Sequence, residues 1–309
     1  MIVDMLHAVV PHPDCAAALA ARYAQLVGYK EHFQRDPSYR SPRNEAELIA
    51  EMRADHEAAR ARPQDPAAVR AALDDAGVDL AVMFAQDDPL PDGPGNIAEL
   101  VAEFCAGDPD RYVGMCFVDP EDSDLAGRVD YLVQDLGIGI ISLGTPCLLR
   151  NATASDPRLA PVYERCQALG VPVSLGSAVN WYRNVPYDLF HPRHIDAVAS
   201  SYPDLKIIAS HAAWPWVMDM VMIAWRHRHI YLDLSTQRAG QFTNPALGWG
   251  PLLHFGDRVI ADRVMFGSGG VLSGRMLGEL IDEVRALPLR QGSIDNWLGL
   301  NAARLLGRA

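Results

Sequence analysis

His211 closes the apolar run LKIIAS and is followed at once by AAWPW. An imidazole titrates near neutral pH, so one placed at the mouth of a cavity can take and return a proton as acid or base. Asp233, in IYLDLS, shares strand parity with Tyr231 and Ser235. It reads either as a buried carboxylate of raised pKa that orients His211, or as a structural acid bonded to backbone amides. Asp4 has the same two readings. Ser177, Asn180, Trp181, Tyr182 and Arg183 form a polar and aromatic stretch after VPVSLG. With Trp214 and Trp216 they suit stacking on a flat or apolar substrate, the plainer reading being loop packing. Arg183, Arg238 and Arg275 each follow an apolar run. A guanidinium there can hold a carboxylate by two parallel bonds, against the ordinary reading of a solvated surface side chain. The expected site is therefore His211 and Asp233 as catalytic groups, with Ser177, Trp181, Arg183, Trp214 and Arg238 on the substrate.

Other reactive side chains lack company. Cys147, in GTPC, has no base near it in sequence, and a nucleophilic thiol needs one. Ser142, Ser268 and Ser273 stand outside any G-x-S-x-G context. GSGG at 267–270 lacks the spacing and following acid of a dinucleotide loop.

The elements that must position these groups repeat. From about residue 66, helical stretches with apolar residues at spacings of three and four end in Gly and lead into short apolar runs. PAAVRAALDDAG precedes VDLAVMF, NIAELVAEFCAGDPDR precedes YVGMCFVDP, and DLAGRVDYLVQDLG precedes IGIISLG. DPRLAPVYERCQALG precedes VPVSLG, and HIDAVASSYPD precedes LKIIASH. A helix over 218–226 precedes IYLDLS, and FGDRVIAD precedes RVMFGS. With MIVDMLHAV there are eight such runs, apolar enough to be covered on both faces. Strand–helix alternation of that kind predicts an α/β fold, a parallel (β/α)8 TIM-type barrel forming a single domain over 1–309. Residues 10–65 break the rhythm and read as a helical insertion after the first strand, with Asn44 and Glu47 as a capping box. The insertion offers a surface for a homodimer. PDGPGN at 91–96 and the segment 240–251 read as turns.

These pieces resemble the amidohydrolase-related family, the branch that includes aminocarboxymuconate-semialdehyde decarboxylase and resorcylate-type decarboxylases. DPRLAPVYERCQALGVPVSLG is similar to the family's segment before its fifth strand. YPDLKIIASHAAWPW resembles its FPDLKIVLxHxG, and IYLDLS its seventh strand. RVMFGS resembles the start of its RILFGSDYP, and NAARLLG its NAxRLxG ending. The resemblance implies a barrel with a divalent metal at its mouth. The ligands would be an HxH pair on strand 1, a His on each of strands 5 and 6, and an Asp on strand 8. The family's IDxHxHxxP aligns without a gap on VDMLHAVVP, so the two His positions hold Leu6 and Ala8, with His7 between them. The strand-5 His falls at Gly176 and the strand-8 Asp at Gly269; His211 alone remains. If strand 1 is regular, His7 points away from the axis. One imidazole does not hold Zn2+, so no metal and no other cofactor is expected. A rebuilt site from His7, His12 and His211 is the alternative.

Composition bounds the rest. The 309 residues are 49% hydrophobic and 21% charged, the balance of a globular chain. A net charge of −12 argues against nucleic acid as a partner. No apolar run reaches the roughly 18 residues of a membrane span, and MIVDMLHAVVPHPD lacks the basic start of a secretory signal. Five cysteines without C-x-x-C spacing suit a reduced, cytoplasmic protein. The expected function is a metal-independent, lyase-type enzyme acting by decarboxylation, dehydration or ring closure on a small cyclic or carboxylated substrate. Its two competitors are a metal-dependent hydrolase or decarboxylase with substituted ligands, and a silent barrel that binds a small molecule or a partner.

Overall fold

The computed structural model describes residues 1–9, 44, 46–47, 50, 54, 66–85, 97–182, 184–269 and 276–308. The expected strands form: β1 Val3–Val9, β2 Leu80–Ala85, β3 Tyr112–Phe117, β4 Ile140–Ser142, β5 Val173–Gly176, β6 Ile207–Ser210, β7 Ile230–Asp233 and β8 Val264–Met265. They pair in parallel in sequence order, giving one eight-stranded sheet. Met5 N–H donates to Phe266 O at 3.0 Å, so the first strand meets the end of the last and the sheet curls into a nearly closed barrel. The helices between are α1 Pro66–Asp75, α2 Ile97–Ala106, α3 Leu125–Asp130, α4 Gly144–Leu149, α5 Ala160–Leu169, α6 Arg193–Ser201, α7 Val217–Arg226, α8 Gly250–Gly256 and α9 Leu277–Arg285. Two short helices follow, α10 Gln291–Asp295 and α11 Asn301–Leu305.

Alternation along each strand divides the core in two. Met83, Cys116, Ile141, Val173, Leu175, Ile207, Leu232 and Phe266 face the helix layer. Val3, Met5, Leu80, Val82, Met115, Ile140, Ile208 and Met265 fill the barrel and pack on Ala302, Ala303 and Leu305 of α11. The Asn301 amide donates to Val264 O, so α11 plugs the end where the strands begin and leaves the other end for a site. Gly170, at φ +69°, caps α5 in the left-handed region as its sequence position implied.

Two local readings change. Segment 240–251 is not only turns: α8 starts at Gly250 with Pro251 in its first turn, where a missing N–H leaves no bond unmade. This helix takes in only Phe255 and Gly256 of FGDRVIAD, and turns from Asp257 on lead into β8. β1 is not regular either. Its ladder runs Asp4 to Ala81 and then His7 to Met83, so a bulge at Met5–Leu6 adds one residue. The insertion at 10–65, its dimer surface and the turn at 91–96 fall outside the described residues, except that Asn44 Oδ1 accepts from Glu47 N at 2.9 Å, as an N-cap does. Among the described residues no helix is long and apolar enough to cross a membrane.

Candidate functional site

The bulge in β1 decides which way its residues face. Val3 and Met5 are inside and Asp4 lies beside outward Ala81. Continued from inward Val3 and Met5 without a bulge, the strand would turn Leu6 outward and His7 inward, so the outward His7 expected of a regular strand arises from the bulge. The extra residue instead puts Leu6 among the barrel-filling side chains and sets His7 beside outward Met83. His7 Nδ1 then donates to Asp4 Oδ2 at 3.0 Å. Asp4 is fully buried and also accepts from Ser268 N at 2.7 Å, Ser268 Oγ at 2.6 Å and Leu6 N at 3.2 Å. Burial alone would raise this carboxyl, but the His7 and Ser268 bonds outweigh it and hold the group below the ordinary carboxylate range.

His211 begins directly after β6, and its backbone is unusual. His211, Ala212 and Ala213 have φ of +67°, +48° and +61°, three consecutive non-glycine residues in the left-handed region. Thr236, after β7, has φ +63°. Each such residue costs on the order of 1–2 kcal/mol, and they gather where the imidazole sits. The ring's Nδ1 lies 3.1 Å from Ser235 O, 2.9 Å from Ser235 Oγ and 3.2 Å from Thr236 Oγ1. A carbonyl only accepts, so Nδ1 carries the hydrogen and Nε2 keeps its lone pair. Nε2 has no hydrogen-bond partner among the described residues. Burial lowers the His211 pKa, opposed in part by the bond to the Ser235 carbonyl.

Ser235 links this ring to Asp233. Its N–H donates to Asp233 Oδ1 at 2.7 Å and its hydroxyl to Oδ2 at 2.6 Å. Asp233 faces into the barrel at the end of β7, and its pKa is pushed up to about 7 by burial, against the two Ser235 bonds and with help from the charge of Asp4. Gly267 makes room: a Cβ there would lie 2.5 Å from Asp233 Oδ1. The resulting chain is Asp233 carboxyl, Ser235 hydroxyl, His211 imidazole. Ser235 is wholly buried, so it is a bridge and not a nucleophile.

The structure brings His211 and Asp233 together and disposes of the other expected residues in different ways. Trp181 and Trp214 stack, with ring centroids 6.3 Å apart, and Trp214 Nε1 donates to Leu247 O at 3.0 Å. Trp216 packs on Tyr187 and His191 at 5.2 and 5.0 Å. Aromatic side chains from the loops after β5 and β6 thus meet. Ser177 is fully buried and donates to Ser210 O, tying β5 to β6. Arg238 is bound by Glu283 of α9, at 2.7 Å from Nη2 and 3.2 Å from Nε. Arg183, Arg275, Ser273 and His12 lie outside the described residues. Cys147 is buried and its thiol is pushed up to about 12 by burial, the opposite of a reactive thiolate. Ser235, Thr236, Gly267 and Phe190 were not singled out as site residues from sequence. The Asp-x-Ser spacing of 233–235 is the one available signal, since a carboxylate commonly accepts from the N–H two residues on.

Among the described residues, the side chains at the positions where the family resemblance puts ligands do not fit a divalent cation. Two ligand positions hold Leu6 and Ala8, and His7 is turned to Asp4. Gly269 sits at φ +71°, and a Cβ there would lie 2.8 Å from Thr236 N. At Gly176 a Cβ would lie 2.9 Å from the Phe190 ring. Among the described residues no three His, Cys, Asp or Glu side chains are grouped to hold a metal ion.

Comparison with known proteins places the chain. The family model described as Amidohydrolase matches residues 3–308. No curated protein matches. A TIM-barrel protein from Bordetella bronchiseptica, itself uncharacterized, superposes with a TM-score of 0.70 at 22% identity, covering 99% of this chain and 98% of its own. A 5-carboxyvanillate decarboxylase from Sphingomonas paucimobilis superposes at 0.64 and 15% identity, covering 99% and 98%. A dihydroxybenzoic acid decarboxylase from Polaromonas sp. JS666, with bound manganese and the inhibitor 2-nitroresorcinol, superposes at 0.64 and 15%, covering 99% and 96%. At these identities the structures show a shared fold.

Proposed function

Because the chain belongs to the amidohydrolase family of enzymes, we propose that it is a lyase-type member that works with His211 as acid and base and without a cation at the family's ligand positions. The reaction would be decarboxylation, dehydration or ring closure on a small cyclic or carboxylated substrate. The observation that carries this reading is the Asp233–Ser235–His211 chain, ending in a lone pair on Nε2. Burial keeps the imidazole neutral near neutral pH, which is the form that takes a proton. A proton accepted at Nε2 makes a buried cation, and the Asp233 carboxyl, in the ionised form it takes above about pH 7, meets that charge through the Ser235 hydroxyl. Returning the proton to the substrate restores the neutral ring. The strand-8 Asp of the family, which would activate water, is Gly269 here, so proton transfer to carbon or to a leaving group suits the site better than hydrolysis. A second reading has one observation in its favour: the bound manganese of the Polaromonas decarboxylase, which would make this chain a metal-dependent relative using other donors.

The test starts from a panel of small cyclic and carboxylated compounds, 5-carboxyvanillate and 2,6-dihydroxybenzoate among them, followed for gas release and ultraviolet change. On a substrate so found, Ser235→Ala keeps the carbonyl that orients Nδ1 and removes only the hydroxyl. It is expected to lower kcat by about ten-fold or more with KM little changed, and to shift the limb of the pH–rate profile that His211 sets. An unchanged kcat and profile would remove the bridge from the mechanism.

A further inference from the structure

Gly176 and Gly269 lack donor atoms, but the space their side chains would use is also taken. Gly176 ends β5 on the inward side, since Val173 and Leu175 face the helix layer, and it pairs with Ser210, the residue before His211. A Cβ built on it would lie 2.9 Å from two ring carbons of Phe190 and 3.0 Å from a third. Carbon atoms pack at about 3.5–4.0 Å, so the ring edge and a strand-5 side chain exclude one another. Phe190 comes from the loop between β5 and α6 and is half-buried against the core. At Gly269 the same construction meets Thr236 N and its γ carbon, both at 2.8 Å. Backbone cannot swing aside as a side-chain tip can, and the positive φ is costly for any side chain.

We propose that Phe190 is a specificity-determining wall of this site. Its ring stands where the family resemblance puts a strand-5 ligand, beside the strand end that carries His211. A cation there would draw adjacent carboxylate and hydroxyl oxygens. A phenyl ring offers carbon and selects the opposite chemistry, a molecule that turns an apolar edge toward β5 and its proton-exchanging atom toward His211. This inference rests on the reading of the barrel mouth as the active site, but not on His211 being the acid–base group.

Two probes separate the ligand classes in calorimetric titrations of the full chain: 4-methylphenol, and 2,6-dihydroxybenzoate with and without manganese chloride. The native chain is expected to bind 4-methylphenol, Phe190→Ala to bind it at least ten-fold more weakly, and 2,6-dihydroxybenzoate to gain nothing from manganese. Failure of the native chain to bind 4-methylphenol, equal binding by Phe190→Ala, or a ten-fold gain for 2,6-dihydroxybenzoate with manganese each overturns the proposal. Thermal unfolding reports on the packing independently. Gly176→Ala should lower Tm by several degrees in the native chain and have little effect in Phe190→Ala. An equal loss in both backgrounds, or none in the native chain, contradicts the exclusion of side chain by ring. Loss of the catalytic reading alone would show as full turnover in His211→Ala with the Gly176–Phe190 coupling intact.

Discussion

His211→Asn is expected to lower kcat/KM by about 10²–10⁴-fold, the usual contribution of a positioned general acid or base. Asparagine is the informative replacement, because it tolerates the left-handed backbone that His211 adopts at φ +67° better than other side chains do. Its amide also keeps a donor for the Ser235 carbonyl, so the loop after β6 holds its shape while the titratable nitrogen is gone. His211→Ala should lose a similar factor and some stability as well. The loss should fall on kcat more than on KM, since Nε2 acts on the reacting atom and not on substrate affinity at large. The His211-dependent limb of the pH–rate profile should also flatten in the Asn variant. Turnover within two-fold of native in both variants would remove His211 from the chemistry and leave the aromatic loops as a binding surface.

The second large effect is on stability. Asp233 is pushed up from its ordinary 3.8 to about 7 by burial, so the folded chain holds a proton there that the unfolded chain has released. A carboxyl raised on folding contributes fully below about pH 4 and loses that contribution as pH climbs to about 7. Across the window the loss is roughly 4 kcal/mol, at about 1.4 kcal/mol per pH unit. Asp233→Asn cannot ionise and keeps an oxygen for the Ser235 N–H. The stability of this variant relative to native should therefore rise by that amount between pH 4 and pH 7 in denaturant titrations, while its turnover falls. Asp4 and His211 carry shifts of their own, and only the part that depends on the Asp233 charge enters the difference. A gap that does not change with pH would mean that Asp233 is ionised throughout, and the bridge would then be a fixed ion contact.

Much of this is legible in the sequence. Eight strands, their order and the position of His211 at the end of the sixth follow from periodicity and Gly caps, because apolar runs covered on both faces leave a plain pattern. The bulge in β1 was not legible, since Met5 and Leu6 are both apolar and either register buries a hydrophobic residue. The pairing of Arg238 was hidden for another reason: its partner Glu283 is 45 residues away on α9, and an Arg after a strand reads alike whether it meets a ligand or a glutamate. In sequence Ser235 is only a parity neighbour of Asp233, because the placement of its hydroxyl between two titratable groups depends on β6 lying beside β7. Phe190 gave no signal at all, because the space it fills is defined only by what Gly176 lacks.

Metal analysis of the purified, active enzyme, joined to turnover before and after exhaustive chelation, bears most directly on whether His211 works without a cation. The account predicts no stoichiometric zinc or manganese and a rate that chelation leaves unchanged. A stoichiometric ion whose removal abolishes turnover, and whose return restores it, would contradict it.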